Sequence, residues 1–170
     1  MRLSDYTDYA CRVLMHCASH PDELITVAGL AERYGISKNH LMKIVQHLGQ
    51  HGMLQTTRGR GGGVRLGVDP AQLRLGDVVR VTEPDFKLVE CFDPASNSCR
   101  LTPQCSLRHT MNAALQAFLH ELDRVTLADL VQSASKNVGT ERRVQHVAMG
   151  LPLGRRGGAV LRVGGRPSAA

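Results

Sequence analysis

The chain has no tryptophan and only three tyrosines and three phenylalanines among 170 residues, so its core must be assembled from aliphatic side chains. No apolar run approaches the roughly 20 residues that a membrane-spanning helix needs. The opening MRLSDYTDYA turns polar at once and lacks the pattern of a secretion signal. The expected location is the cytoplasm, where thiols stay reduced. No C-x-x-C occurs and the five cysteines are odd in number, which argues against a thiol oxidoreductase and against a purely disulfide framework. No Gly-Lys-Ser/Thr follows the glycine run, which removes a nucleotide-binding phosphate loop. With no evident nucleophile–base pair either, the chain reads as a binding protein rather than an enzyme.

Acid is absent from one long stretch. From Arg33 to Val68 stand Arg33, Lys38, Lys43, Arg58, Arg60 and Arg65, with no Asp or Glu. The net charge of +6 arises elsewhere, because residues 134–170 hold seven Lys or Arg and one acid. A basic block inside an otherwise neutral body implies a local anionic partner.

The segment leading into and through that block carries a helical pattern. Tyr6, Ala10, Val13, Leu14 and Cys17 recur at helical spacing and predict a helix over residues 4–19. Thr26 is placed to cap a short helix, Val27 to Tyr34, which Gly35 ends in a left-handed conformation. Ser37 caps the next helix, with Ile36 and Leu41 as a hydrophobic staple. Leu41, Ile44, Val45 and Leu48 form its buried stripe and Gly52 its stop. Two short helices around a tight glycine turn are a helix-turn-helix signature, though an ordinary helical hairpin shares it. The following LQTTRGRGGGVRL, two extended runs around a Gly-rich turn, reads as a β-hairpin wing and favours DNA binding.

Candidate DNA contacts follow. Ser37 opens the second helix, and Lys38, Asn39, His40, Lys43 and Gln46 occupy its exposed face, where they can reach phosphates and base edges in a major groove. Arg58 and Arg60 sit at the wing tip, and Gly61, Gly62 and Gly63 let the backbone approach a narrow minor groove. For the glycines, a merely flexible turn is the alternative.

Beyond the wing, Asp69-Pro70 marks a turn and Leu75 to Thr82 a short helix ended before Pro84. Thr102 and Pro103 start the longest helix, since proline is favoured at the first position. Leu107, Met111, Ala114, Leu115, Phe118, Leu122 and Val125 make a stripe suited to a dimer seam. From Ser133 onward periodicity is lost, predicting a flexible basic tail with nonspecific affinity for DNA.

Cys91, Cys99 and Cys105 fall within fifteen residues. Soft thiolate sulfur suits zinc or iron–sulfur clusters, and the first turn of the long helix, where Cys105 is expected, favours such a ligand. Three cysteines are an incomplete set, and the paired C-x₂₋₄-C of structural zinc is absent. The H-x₃-H pairs His16/His20 and His47/His51 lack adjacent Cys or acidic co-ligands, and Cys11 and Cys17 read as core or dimer-facing residues.

Taken together, the helix-turn-helix, RGRGGGVRL, LGDVVR, LVEC…C…PQCSLR and TLADLV resemble the winged-helix iron–sulfur repressors over about residues 1–133, most nearly their nitric-oxide-sensing branch. The interval between the second and third Cys fits that family, while the first interval varies among its members. The resemblance implies that Cys91, Cys99 and Cys105 hold a cluster, 4Fe–4S favoured over 2Fe–2S, in a homodimer that binds palindromic operator DNA. One branch takes its fourth ligand from a His three residues after the third Cys, but Arg108 stands there and His109 is one residue late. The nitric-oxide branch can use an Asp from the partner's first helix, and Asp8 matches it; the alternative for Asp8 is an exposed pair with Arg12. The implied activity is repression relieved by nitric oxide. Regulation by another redox stimulus, or a zinc or thiol sensor, stands as the alternative.

The expected architecture is mainly α. A winged helix-turn-helix spans residues 1–83, a cluster-binding loop and long C-terminal dimerisation helix span 84–133, and the basic tail spans 134–170.

Overall fold

Capping chemistry sets the element boundaries in the computed structural model, which describes residues 2–101 and 105–137. Ser4 opens α1 (Asp5–Ser19) with its hydroxyl accepting from the Thr7 amide. Thr26 does the same for α2 (Val27–Tyr34), accepting from the Gly29 amide. Gly35, at φ 65°, reverses the chain and lets the Ile36 amide reach back to the Ala31 carbonyl. The recognition helix α3 (Lys38–Gln50) begins at Ser37, whose hydroxyl makes no capping bond. The Ile36–Leu41 staple, both residues buried, fixes its start instead. Its end is a Schellman turn: Gly52 is left-handed, with Met53 N–H to Leu48 O at 3.0 Å and Gly52 N–H to Gly49 O at 3.0 Å.

Strands β1 (Leu54–Thr57) and β2 (Gly63–Leu66) pair antiparallel from Leu54↔Leu66 to Thr57↔Gly63. A further bridge, Ile25↔Val64, ties the wing to the segment before α2. After α4 (Leu75–Thr82), a long loop with one 3₁₀ turn at Glu90–Phe92 leads to α5 (Ser106–Asp123). The core is aliphatic, as the shortage of aromatics requires. Leu14, Leu30, Leu41, Ile44 and Leu48 are fully buried, while Tyr6, Tyr9 and Tyr34 line its edge. Truncating one of these leucines to alanine should cost about 2–5 kcal/mol.

Three expectations need correction. The long helix stops at Asp123, so Val125 lies beyond it, in a link whose carbonyl accepts from the Leu75 amide. Thr126 then opens a separate helix, α6 (Leu127–Asn137), through a capping box with Asp129. That helix runs past Ser133 and packs against α1. Finally, Leu119, omitted from the expected stripe, is buried with Leu115. The start assigned to Thr102 and Pro103, and the tail from residue 138, lie outside the described residues.

Candidate DNA-binding face and candidate metal centre

The DNA-binding face grows out of the buried stripe of α3. Because Leu41, Ile44, Val45 and Leu48 point inward, Lys38, Asn39, Lys43 and Gln46 are left exposed on the other side. Among the described residues, the side chains of Ser37, Lys38, Asn39 and Lys43 engage no protein partner, and neither do those of Arg58 and Arg60 at the wing tip. Arg65 is different, since its guanidinium bonds Gln55 across the strands at 3.0 and 3.1 Å.

His40 does not share that freedom. Its ring is half-buried against Tyr9 (centroids 5.4 Å, edge-on) and Tyr6 (5.8 Å), both from α1. Sequence reasoning placed it among the base-reading residues and missed the tyrosines, because the contact joins residues more than thirty positions apart. The glycine run also has a firmer basis than flexibility. Gly61 has φ 75°, a Cβ on Gly62 would overlap the Thr57 carbonyl, and one on Gly63 would lie 2.9 Å from the Ile25 carbonyl. Closing the hairpin and docking it on Ile25 requires glycine at both positions.

All three loop cysteines lie between the end of α4 and the start of α5. Cys91 is buried within the 3₁₀ turn, and Cys99 and Cys105 are half-buried. Cys105 is the residue that precedes the first turn of α5, not a member of that turn. Polar turns order the loop. Glu90 accepts from the Ser98 amide and hydroxyl at 2.7 and 2.6 Å, Asp93 accepts from Lys87 Nζ at 2.8 Å, and Asn97 accepts from the Cys99 amide at 3.0 Å. A cleft of about 630 Å³, lined by Phe86, Phe92, Arg108, His109 and Leu115, separates loop from helix.

Within one chain, these cysteines do not assemble: among the described residues no three His, Cys, Asp or Glu side chains form a group able to hold a metal ion. Asp8 is paired in its own chain, accepting from Arg12 at 2.6 and 3.2 Å. Burial pushes the Cys11 and Cys17 thiols up to about 11, so both are protonated in this chain, and both pack with the α1 core. Chemically the loop set is suited to a cluster, being three soft sulfur donors on one segment.

Helix α1 joins the two regions. The Ser4 amide and hydroxyl donate to Glu83 Oε1 at 2.8 and 3.0 Å, and the Thr7 hydroxyl donates to that of Thr82 at 2.9 Å. Tyr6, in the same turn, reaches α3, its hydroxyl 3.0 Å from His47 Nδ1. The first turn of α1 therefore touches both the recognition helix and the start of the cysteine loop.

A recognition helix with a free polar face, flanked by a hairpin bearing two unpaired arginines, defines a winged-helix DNA-binding protein. A family model described as Rrf2, iron-dependent transcriptional regulator, matches residues 3–133. The chain belongs to this Rrf2 family of transcriptional regulators, which are not enzymes. An HTH-type transcriptional regulator NsrR of Bacillus subtilis is 53% identical over 134 residues, covering 78% of this chain and 92% of that protein. The NsrR of Geobacillus kaustophilus is 45% identical over 146 residues, covering 84% and 99%. Among solved structures, T. potens IscR superposes with a TM-score of 0.66 at 23% identity, covering 84% of this chain and 94% of its own. Oxidised Staphylococcus aureus CymR gives 0.62 at 23%, covering 78% and 97%. These two share the fold. Among the described residues no helix is long and apolar enough to cross a membrane.

Proposed function

We propose that the chain is a nitric-oxide-sensitive repressor, acting in the cytoplasm as a homodimer on operator DNA and controlled by an iron–sulfur cluster. Cys91, Cys99 and Cys105 would hold the cluster, with 4Fe–4S the favoured form, and Asp8 of the second copy would supply the fourth ligand. The bound group would supply iron that reacts with a small diatomic gas, most readily where a hard carboxylate is the ligand to be displaced. The name NsrR carried by relatives at 42–53% identity supports this branch over the others.

The observation that carries the reading is the double attachment of α1. Glu83 and Thr82, where the cysteine loop begins, bond Ser4 and Thr7, while Tyr6 and Tyr9 contact α3. Asp8 lies between those tyrosines, so a change in what holds Asp8 or the loop displaces the helix that supports the DNA-reading face. Its Arg12 pair is an exposed one and so weak enough to exchange for another partner. The face of α5 bearing Leu107, Met111, Phe118 and Leu122 is only partly covered, Leu107 being 58% exposed, which suits a seam with a second copy.

Anaerobic purification followed by an absorption spectrum and iron and sulfide analysis tests the proposal. Coloured protein with equal iron and sulfide is expected. A colourless protein with stoichiometric zinc and no iron would move the reading to a zinc sensor.

A further inference from the structure

We infer that Tyr6 sets the rotation of the recognition helix, and through it the ratio of operator to nonspecific binding. This rests on α3 being the operator-reading helix and on nothing about the cluster. The Tyr6 ring lies 5.8 Å from both His40 and His47 by ring centroids. Those histidines are seven residues apart, two turns along one stripe of α3, so a single ring spans the helix from its first turn to its last. Between them the Tyr6 hydroxyl lies 3.0 Å from His47 Nδ1 and 3.4 Å from the Lys43 carbonyl oxygen. Tyr9 adds an edge-on contact to His40.

The rest of the α3 interface is aliphatic. Leu41, Ile44, Val45 and Leu48 hold the helix by burial, which is non-directional and sets depth far better than rotation. The hydroxyl–imidazole bond is directional, and it acts on a stripe of α3 about a quarter of a turn round the helix from Asn39 and Gln46 and about half a turn from Lys38. Small rotations sweep those exposed side chains across base edges. Phosphate contacts tolerate the same movement, so specific binding should suffer while nonspecific binding does not.

The test uses the full chain, anaerobically purified, with a duplex it selects from a random pool and a random-sequence duplex as control. Tyr6→Phe keeps the ring and removes only the hydroxyl. If about a tenth of molecules then hold α3 correctly, operator affinity falls about tenfold, while affinity for random DNA stays within about twofold. His47→Ala should match it, His47→Gln should recover much of the loss because its amide can still bond the hydroxyl, and the double variant should be no worse than either single change. Equal losses on both duplexes, unchanged operator affinity, or additive losses in the double variant would each overturn the inference. Asn39→Ala separates this from the underlying reading. If that variant leaves sequence preference intact, α3 does not read the operator; if preference shifts while Tyr6→Phe is neutral, only the role of Tyr6 is lost.

Discussion

Arg80 and Asp123 meet across the α4–α5 junction in a two-pronged pair, Nη1 to Oδ1 and Nη2 to Oδ2, each at 2.6 Å. Asp123 is the last residue of α5, so the long arm is pinned to the DNA-binding unit at that end. Parallel bonds of this kind fix orientation as well as distance. Room for the pair comes from Gly76, where a Cβ would overlap the Asp123 carboxylate and lie 2.8 Å from Arg80 Nη1.

Asp123→Asn should therefore loosen the arm without unfolding the domain. Amide exchange should quicken near the end of α5 and stay slow in α3. Gly76→Ala should also open the pair, because the added Cβ displaces both side-chain ends. An alanine inside a helix ordinarily gains about 1 kcal/mol over glycine, and here loss of the pair should offset much of that gain, which thermal unfolding would show.

Acid should act on the same joint. Arg80 holds the Asp123 carboxyl below its ordinary 3.8, and the Thr126 hydroxyl does likewise for Asp129. A depressed carboxylate contributes stability that is present above its ordinary value and lost as pH falls through the lower folded value. The α4–α5 junction and the cap of α6 should thus weaken below about pH 4, and Asp123→Asn should flatten the part of the pH profile that belongs to the junction. His16 works in a higher window. Burial, then His20 and Arg33, holds it below 6.5, so neutral His16 contributes stability above 6.5 that fades as pH falls into the folded range. His16→Gln should remove that slope.

Much of this fold is written locally. Gly35 and Gly52 end their helices as their positions require, and Thr26 caps α2 with its own hydroxyl. The break between α5 and α6 was also legible, because Thr126 and Asp129 form a capping box three residues apart, but the apolar spacing ran on through Val125 and hid it. What sequence could not show were contacts between distant residues: Tyr6 with His40 and His47, Ser4 with Glu83, and Val64 with Ile25. The loop cysteines are legible as three soft donors on one segment, while their closure on a cluster with Asp8 of a second copy is the proposal made above.

In the wing, Arg60→Ala should weaken operator binding and narrow any preference for A·T-rich flanks, leaving the absorption spectrum intact. Competition binding on duplexes with altered flanks checks this. Unchanged affinity at moderate salt would count against the wing as a contact.

Cys99→Ala or Cys105→Ala should yield a folded, helical dimer that lacks iron and fails to bind operator, since the α5 face does not depend on sulfur. Sedimentation and circular dichroism distinguish this from a collapsed variant. Asp8→Ala should keep a more labile cluster, and His109→Ala should behave as the parent. In a mixed dimer with Asp8→Ala on one chain and Cys105→Ala on the other, ligation across subunits puts both lesions on one site and leaves the second intact. Two equally damaged sites would mean that Asp8 acts within its own chain or not at all.

The central claim is that iron and operator binding respond together to nitric oxide. Its most direct test is an anaerobic titration of the operator-bound protein with nitric oxide, recording DNA binding by anisotropy and the visible absorption in the same cuvette. The account predicts that both signals change over the same range of nitric oxide per cluster and that operator is released. Loss of the visible absorption with DNA binding undiminished would contradict it.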